Sequence, residues 1–375
     1  MKRKLIHFIF DLGRGGAETM IVRVIKELPE YEHIIVTLFP KNRFGKELEC
    51  DRLICLNLKS LYSLPASIFR FRRIVNIEKP DLVHTHLFWP TVIARMSVPK
   101  RIPLVTTIHA FIASSLEYKH AHIRFLDRLT YCLRKNIIIV VAKGALKEYF
   151  SFLKLEPYKS YNLYTFVDVN RFDASQVAEK KKDPVFRIIS TGALRAQKNY
   201  SFLIDQFSHL KDLNIELHIY GSGSLRKELQ QQIDETGAKV ILKGEVSNLE
   251  KILPGYDLYV ASSSFEGFSL SVLEAMAMKL PMLLSDIESF REQCQDTAVY
   301  FDLTAKEEFI QRLNELIADE QKRKELSEKG YERVMQNFTL TNHVSQLKNI
   351  YNETLSYETK DDFQAGKNLT YIFNE

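Results

Sequence analysis

The strongest constraint on the fold is an alternation of short, continuously apolar segments with amphipathic stretches, and this alternation occurs twice. In the first half the apolar segments are Leu5–Phe10, Ile34–Leu38, Leu82–His84, Leu104–Ile108 and Ile137–Val141. In the second half they are Val185–Thr191, Ile215–Tyr220, Val240–Leu242, Leu258–Ala261, Met282–Ser285 and Ala298–Phe301. Strands that helices cover on both faces consist of near-continuous Ile, Val and Leu, and such strands form parallel sheets. The sequence therefore predicts an α/β protein with two doubly wound parallel-sheet domains.

The boundary between these domains follows from a polar segment in the middle of the chain. Residues 171–184 contain Lys180–Lys182 and end in Asp183-Pro184, so they are predicted to be a linker. We expect a first domain over residues 1–170 and a second over residues 185–340. Residues 341–375 are expected to form a C-terminal helix that returns toward the first domain, followed by a tail. Amphipathic helices are predicted at Ala17–Leu28, Pro65–Ile77, Tyr118–Arg134, Lys143–Leu153, Ala305–Ala318, Glu320–Met335 and Thr341–Leu355.

Composition excludes several classes of protein. Hydrophobic residues make up 45% of the 375 residues and charged residues 26%, as in globular proteins rather than disordered chains. The four cysteines form no Cys-x-x-Cys pair, so reduced thiols are expected rather than a zinc site or a disulfide framework. The apolar run after Met1–Lys4 is too short for a signal peptide, and no segment is long enough to span a membrane. We therefore expect a cytoplasmic protein.

The net charge of +5 is divided unevenly along the chain. Residues 1–175 hold 28 Lys and Arg against 16 Asp and Glu, a balance of +12, whereas residues 176–375 have a balance of −7. The basic half indicates contact with an anionic partner, such as membrane phospholipid or a lipid pyrophosphate. A chance distribution of solvated charge gives the same numbers, so both interpretations stay open. No nucleic-acid partner is expected.

One loop is placed where a doubly wound sheet binds its ligands. Two such domains imply a cleft, and ligands bind beyond the carboxyl ends of the strands. The run from Glu266 to Glu274 follows the predicted strand Leu258–Ala261 and enters a segment rich in helix formers. Gly267 permits unusual dihedral angles, and the amides that open a helix attract a diphosphate. If the helix begins near Ser269, Glu274 lies about 7 Å along it, where a carboxylate can accept hydrogen bonds from two vicinal ribose hydroxyls.

The stretch from Leu258 to Ala277 resembles the E-x7-E signature of the retaining glycosyltransferases of family 4, which have the GT-B fold. The resemblance covers nearly the whole chain. It implies that Glu266 lies beside the donor sugar as a candidate catalytic residue, and that Glu274 holds the ribose. It also implies that the donor contacts the amides of Phe268, Ser269 and Leu270.

A second loop, Thr191–Asn199, resembles the family's loop in which an Arg and a Lys bind the diphosphate. Two fixed cations suit this task because negative charge grows on the leaving group as the glycosidic bond breaks. Lys198 matches the family pattern. Ala193 replaces an Arg that commonly follows the Gly, but Arg195 has the spacing of another form, three residues before the Lys. We therefore expect Arg195 and Lys198 to bind the donor.

The resemblance assigns three further positions. Gly16, in the family's Gly-Gly-x-Glu loop, is expected near the diphosphate and the acceptor, with a structural turn as the alternative. His109 is expected near the donor sugar as a second candidate catalytic residue, although a lone His more often has a packing role. Val246 is expected near the base. His84 and His86 also end a strand, and structural or acceptor-side roles are favoured for them.

These residues predict a retaining glycosyltransferase of cell-surface polysaccharide or glycolipid synthesis. The donor is a nucleotide diphosphate sugar, with a UDP-sugar favoured, and the acceptor is a glycan or is lipid-linked. No Asp-x-Asp stands at a strand end to bind a metal with the diphosphate, so neither a metal nor another cofactor is expected. The alternatives are a nucleotide-sugar epimerase or a phosphorylase on the same fold, or a non-catalytic GT-B scaffold.

Two basic amphipathic segments bear on the location of the protein. Pro65–Ile77 carries Arg70, Arg72 and Arg73 beside apolar residues, and His122–Arg134 has a similar pattern. Such helices contact anionic membranes peripherally, but a core-packed helix with a solvated face has the same pattern. A place at the inner face of the cytoplasmic membrane is therefore one of two open interpretations.

Overall fold

The structure, a computed structural model, describes residues 2–13, 15–58, 63–109, 118, 120–176 and 184–356. Contacts divide the chain into two compact units: unit 1 comprises Met1–Tyr164 and His343–Glu375, and unit 2 comprises Thr165–Asn342. The division falls at Tyr164 rather than at residue 170. Arg171, at the predicted start of the linker, already bonds to Ser247 and Glu250 of unit 2. Within the predicted linker and tail, residues 177–183 and 357–375 lie outside the described residues.

Unit 1 contains a parallel sheet of seven strands. The strands are β1 (Arg3–Ile9), β2 (Tyr31–Thr37), β3 (Arg52–Cys55), β4 (Leu82–His86), β5 (Leu104–Ile108), β6 (Ile137–Val140) and β7 (Lys159–Asn162). Their order across the sheet is β3-β2-β1-β4-β5-β6-β7. The connecting helices are α1 (Gly16–Lys26), α2 (Leu64–Glu78), α3 (Phe88–Ser97), α4 (Ala121–Leu133) and α5 (Lys143–Leu153).

Unit 2 contains a parallel sheet of six strands with the same kind of order. The strands are β8 (Phe186–Thr191), β9 (Ile215–Tyr220), β10 (Val240–Gly244), β11 (Leu258–Ala261), β12 (Met282–Ser285) and β13 (Val299–Phe301). Their order is β10-β9-β8-β11-β12-β13. The helices are α6 (Tyr200–Ser208), α7 (Arg226–Thr236), α8 (Leu249–Ile252), α9 (Leu270–Ala277), α10 (Glu288–Cys294), α11 (Lys306–Ala318) and α12 (Glu320–Asn337).

The strand order reverses once in each sheet, between β1 and β4 and between β8 and β11. In doubly wound sheets the loops at this reversal diverge and leave room for a ligand. Apolar clusters cover both faces of the sheet in unit 1, as expected for a parallel sheet. Ile6 and Phe8 of β1 pack in one apolar cluster, whereas Ile9 packs in another. The predicted α/β class with two Rossmann-like domains is confirmed.

The last helix, α13 (Leu340–Ser356), belongs to unit 1 from His343 onward. Tyr351 Oη lies 2.6 Å from His84 Nδ1 in the core of this unit. Lys159 Nζ pairs with Glu353 Oε1 at 2.7 Å, which ties α13 to β7. These contacts hold the C-terminal helix against the sheet of unit 1. No helix in the described part of the chain is long and apolar enough to cross a membrane.

Among the strands and α-helices described in unit 1, three were not predicted from the sequence. β3 and β7 are edge strands whose side chains are half-buried or exposed, so they lack the continuous apolar run that marked the central strands. α3 escaped prediction for the opposite reason. Eight of its ten residues are buried, so it shows no polar face and no helical period.

Candidate functional site

Eight of the ten predicted site residues belong to unit 2: Arg195, Lys198, Val246, Glu266, Phe268, Ser269, Leu270 and Glu274. Most of them lie after β8 and β11, the neighbouring strands at which the strand order reverses. The loop after β8 carries Arg195 and Lys198, and the loop after β11 carries Glu266 and leads into α9. The fold therefore brings the two sequence motifs together at the place where such sheets bind ligands.

Lys198 and Glu266 form an ion pair that joins the two loops. Lys198 Nζ donates to Glu266 Oε1 at 2.6 Å, and Ser263 Oγ donates to the same oxygen at 2.8 Å. Gln197 Nε2 donates to the other carboxylate oxygen at 3.2 Å. Burial works to lower the pKa of Lys198, but Glu266 and then Tyr259 more than offset it, so the pKa is raised. Lys198 is therefore a fixed cation, and of its three N–H donors Glu266 takes one.

The backbone of the Lys198 loop is held by the serines that follow β11. Ser262 Oγ donates to the carbonyl oxygens of Lys198 and Asn199, at 3.0 and 2.9 Å. The amide of Ser264 donates to the carbonyl of Gln197 at 2.9 Å. From the sequence these serines were only a polar stretch after a strand. Their role is to fix one loop against the other, so that the position of Lys198 depends on both.

Two glycines allow the loops after β8 and β9 to approach each other. Gly192 and Gly221 have φ of +151° and +147°, which is backbone that favours glycine. A Cβ placed on Gly221 would lie 1.9 Å from the carbonyl oxygen of Gly192. The path of the chain from β8 toward Arg195 and Lys198 therefore requires glycine at both positions.

The amides at the start of α9 are only partly available to a ligand. Ser269 is the N-cap, and its carbonyl accepts the first helical bond from the amide of Leu273 at 3.2 Å. Its own amide donates to Gln293 Oε1 at 3.0 Å. In this structure the Ser269 amide is thus already engaged, contrary to the expectation that it is open to the donor. The amides of Leu270 and Ser271, in the first turn, have no acceptor within the helix and keep that capacity.

Glu274 lies one turn into α9, about 6 Å along the axis from Leu270. Its carboxylate is half-buried and has no hydrogen-bond partner among the residues that the structure describes. Burial raises the pKa of Glu274 to about 7, Glu250 adds to the shift, and Arg171 and Lys198 act against it. A carboxylate with unused acceptors beside a helix start is suited to two vicinal hydroxyls, and near neutral pH it is poised between its two protonation states.

This raised pKa predicts a pH dependence of donor binding. Because only the ionised carboxylate accepts from both hydroxyls, affinity should be lost as pH falls through about 7. A tenfold weaker Kd is expected at about pH 6 than at about pH 8. Calorimetric titration with a UDP-sugar measures this directly, since its diphosphate does not titrate in this range. Glu274→Gln should bind weakly and without pH dependence, and an unchanged pH profile in that variant would contradict the assignment.

Arg195 differs from Lys198 in its surroundings. Its side chain is exposed, and within the described ranges it has no ionic partner. It is therefore available to a phosphate.

Val246 follows β10 and is half-buried. The carbonyl of the next residue, Ser247, accepts from Arg171 Nη2 at 2.6 Å, and Arg171 also pairs with Glu250 at 2.9 Å. Arg171 thus fixes the loop that the resemblance places near the base.

The two remaining predicted residues, Gly16 and His109, belong to unit 1. Gly16 is the first residue of α1, at the end of the loop that follows β1, and His109 directly follows β5. His109 Nε2 lies 3.0 Å from His86 Nδ1. Burial, with a contribution from His343, lowers the pKa of His109 to about 3. Its imidazole is therefore neutral and can act as a hydrogen-bonding group, not as a cation.

His109, itself half-buried, adjoins five buried histidines of unit 1, and together they form a histidine cluster. The cluster comprises His7, His33, His84, His86, His109 and His343. His84 is held between the hydroxyls of Tyr351, at 2.6 Å, and Thr107, at 2.7 Å. Burial lowers the pKa of His84 to about 3 and that of His343 to about 4. These neutral, hydrogen-bonded imidazoles fit the structural role favoured for His84 and His86.

The histidine cluster also contains the one group of candidate metal ligands found in the described residues. One nitrogen each of His7, His84 and His86 lies within 4.8 Å of the others, beside a cavity of about 20 Å³. Both nitrogens of His84 are already bonded to hydroxyls, and no carboxylate lines the cavity. A buried dication would lack a counter-charge there, and a cavity of this size holds about one water molecule. We therefore assign His7, His84 and His86 to packing rather than to a metal site.

Sequence reasoning missed the residues that support the site. Gln197 lies inside the Thr191–Asn199 motif, but it is uncharged and only its charged neighbours match the family pattern. Ser263 is a polar residue after a predicted strand, which is a weak signal. Gln293 lies on α10, far from either motif, and nothing in its sequence context marks it. Such residues are recognisable only when the fold shows which backbone groups they contact.

Two family models match the chain and together span most of it. The model described as Glycosyltransferase Family 4 matches residues 14–171. The model described as Glycosyl transferases group 1 matches residues 171–333. The second match contains both sequence motifs of unit 2.

Relatives of known name are similar over most of their length. The N-acetylgalactosamine-N,N'-diacetylbacillosaminyl-diphospho-undecaprenol 4-alpha-N-acetylgalactosaminyltransferase of Campylobacter jejuni is 24% identical, covering 88% of this chain and 94% of that protein. The amylovoran biosynthesis glycosyltransferase AmsD of Erwinia amylovora is 23% identical, covering 88% and 94%. Both are transferases, so an epimerase, a phosphorylase or a scaffold is not favoured.

A solved structure shows the same fold. HepE of Anabaena in complex with UDP is 16% identical, with a TM-score of 0.79, covering 94% of this chain and 100% of that chain. The two sheets, their strand orders and this match show the GT-B fold, and the family models over residues 14–333 show that the chain belongs to the group 1 glycosyltransferases of family 4.

Proposed function

We propose that this glycosyltransferase moves a sugar from a UDP-sugar to a lipid-linked glycan acceptor in surface polysaccharide synthesis. The observation that carries the donor side is the arrangement of Lys198, Glu274 and the first amides of α9 within one unit. The name of the Campylobacter jejuni relative, a transferase acting on a diphospho-undecaprenol glycan, supports a lipid-linked acceptor. The UDP complex of HepE supports uracil as the base of the donor nucleotide.

A thermal-shift screen over UDP, GDP and ADP sugars tests the donor. Ligand at a hundredfold excess over Kd stabilises the folded state by about 2.7 kcal/mol, so the unfolding midpoint should rise with a UDP-sugar and not with the others. A rise confined to GDP or ADP sugars would contradict the uridine assignment.

Transfer is then measured with an undecaprenyl-type diphospho-glycan and with the free glycan as control. Equal rates on both would argue against a lipid-linked acceptor.

The diphosphate site is proposed to work without a divalent metal ion. Arg195 is an exposed cation, Lys198 keeps N–H donors beyond the one that Glu266 takes, and the amides of Leu270 and Ser271 add a helix start. These groups can balance the charge that grows on the leaving diphosphate. We expect Mg²⁺ or Mn²⁺ to change kcat by less than about twofold, because the positive groups are already in place. A strict requirement for either ion would overturn this.

Retention of the anomeric configuration is proposed from family membership. A covalent route needs a carboxylate nucleophile on the sugar face opposite the leaving group. Among the described residues we propose no carboxylate for that role. Front-face attack, with a departing phosphate oxygen taking the acceptor proton, is therefore proposed. Proton NMR of the product should show an α linkage from an α-linked donor, and a β linkage would exclude this route.

The exposed faces of α2 and α4 support a proposed contact with an anionic membrane. Phe69 on α2 is 74% exposed, while Phe125 and Leu133 on α4 are 65% and 60% exposed. Such large apolar side chains at the surface fit insertion among lipid headgroups. Phe71 and Val75 of α2 are buried in the core, so this helix packs inward and still presents an apolar surface outward. The two interpretations of the sequence pattern thus both describe part of α2.

Flotation with liposomes tests this contact. Arg72 and Arg73 of α2 are exposed beside Phe69, and each basic residue near an anionic surface contributes about 1 kcal/mol. Reversal of both charges to Glu should therefore reduce binding to anionic liposomes by more than tenfold, with no effect on binding to neutral ones. Lys322→Glu/Lys324→Glu on α12 is the matched control in unit 2. Equal flotation of both double variants would remove the proposal.

A further inference from the structure

A buried side chain of α10 hydrogen-bonds to the N-cap residue of α9, the helix at the donor site. Gln293 is fully buried, with no exposed surface. Its Oε1 accepts from the amide of Ser269 at 3.0 Å, and its Nε2 donates to the carbonyl of Ser269 at 2.9 Å. One planar carboxamide therefore satisfies both backbone groups of a single residue. Two bonds of this kind fix the rotation of the Ser269 backbone as well as its position.

Ser269, the residue that Gln293 holds, determines the direction in which α9 begins. The Ser269 carbonyl also receives the first helical bond, from the amide of Leu273. Since Ser269 is the N-cap, the orientation of its backbone sets where the next two amides, of Leu270 and Ser271, point. Those are the amides left for the diphosphate. A change at Gln293 therefore reaches the donor site through the backbone, without a contact to the donor.

Gln293 is itself held from the other side. Arg333 of α12 donates from Nε to the carbonyl of Gln293 at 2.7 Å and from Nη2 to that of Glu292 at 3.0 Å. The next residue, Cys294, packs its sulfur 3.8 Å from that of Met276 on α9. α12 thus holds α10, and α10 in turn holds the start of α9.

We propose that Gln293 is a positioning residue for the donor, orienting the amides of Leu270 and Ser271 toward the diphosphate and keeping the Ser269 amide out of that contact. This inference rests on the proposed function. The side chain must accept and donate at once in one plane, which a carboxamide does and a carboxylate or an alkyl chain does not. A merely structural role would stabilise unit 2 without affecting nucleotide affinity.

The first test compares Gln293→Met with Cys294→Ala. Both positions are fully buried on the same helix, but only Gln293 contacts Ser269. Gln293→Met should weaken UDP binding by about 10- to 100-fold, because two buried backbone groups lose their partners and the helix start is released. Cys294→Ala should lower the thermal midpoint and leave the Kd for UDP within about twofold. If Gln293→Met binds UDP like the wild type, the proposal is overturned.

A second variant guards against loss of folding and gives a pH signature that differs from that of the wild type. In Gln293→Glu the ionised carboxylate cannot donate to the Ser269 carbonyl, whereas the protonated acid can both donate and accept. Because Glu274 titrates in both proteins, the ratio of the variant's Kd for a UDP-sugar to that of the wild type should fall as pH falls. A ratio that stays constant with pH would refute the inference. Failure of the wild type to bind any nucleotide would instead refute the proposed function.

Discussion

Replacement of Lys198 by alanine is expected to lower kcat/KM for sugar transfer by about 10²- to 10³-fold, or about 2.7–4 kcal/mol. The reason is the position of the cation. Its amine is held at 2.6 Å by Glu266, and its backbone is fixed by Ser262, so no reorganisation is needed when charge develops on the diphosphate. The measurement is transfer at limiting donor concentration, together with hydrolysis of the donor without an acceptor. Both rates should fall in parallel.

Lys198→Arg separates the charge of Lys198 from its geometry. It keeps the cation and should recover part of the transfer rate that Lys198→Ala loses. Lys211→Ala is the control, since it removes an exposed lysine of unit 2 and should change kcat/KM by less than about twofold. Because Lys198→Ala leaves a buried carboxylate unpaired, Lys198→Met/Glu266→Gln is measured as well. If the double variant regains wild-type transfer, the loss came from the orphaned Glu266, and Lys198 has no role in leaving-group stabilisation.

The parts of the fold that could be predicted are those that a central position imposes on the sequence. β4, β5 and β11 are buried along their length and β1 from Leu5 onward, and that burial produces the apolar runs that predict them. Edge strands experience a different constraint. Lys159–Asn162 is half-buried throughout, and its polar residues pair with Ile137–Val140 through the backbone alone. Backbone pairing leaves no mark on composition, so β7 could not be predicted.

The candidate site divides in the same way. Glu266, Glu274 and Lys198 could be proposed because the loops that hold them, after buried strands and at a helix start, resemble motifs of the family. The engagement of the Ser269 amide could not be proposed, since it depends on how α10 packs on α9. The raised pKa of Glu274 has the same origin, because burial is set by residues distant in sequence.

Acid is expected to destabilise unit 1 more steeply than its size alone suggests. His7, His84, His86 and His343 are at most 4% exposed, and burial is the largest cause that lowers the pKa of each below 6.5. The further titratable groups that act on them in the described part of the chain are His33 and His109 of the same cluster, and His33 itself faces Asp51, Glu30 and Lys2. Below about pH 6.5 the unfolded chain therefore binds protons that the folded chain does not.

The sign and size of the effect follow from that difference. Stability is fully present above the unfolded pKa and is lost as pH falls toward the folded values. Each such histidine contributes about 1.4 kcal/mol between about pH 7.5 and pH 5.5, so the four together remove roughly 5–6 kcal/mol. A typical domain has only about 5–15 kcal/mol in total, so unit 1 should unfold in mild acid that ordinary surface histidines tolerate.

Urea unfolding followed by tryptophan fluorescence measures this in unit 1 specifically. The chain has one tryptophan, Trp89, and it lies on α3. The slope of unfolding free energy against pH counts the protons taken up, and His343→Gln should reduce it by about one proton below pH 6. His122→Gln, an exposed histidine at the start of α4, is the matched control and should leave the slope unchanged. A flat profile between pH 7.5 and 5.5 would mean that the cluster accepts protons while folded. The most direct acceptors would be His7 Nδ1 and His86 Nε2, the two buried nitrogens of the cluster that have no hydrogen-bond partner among the described residues.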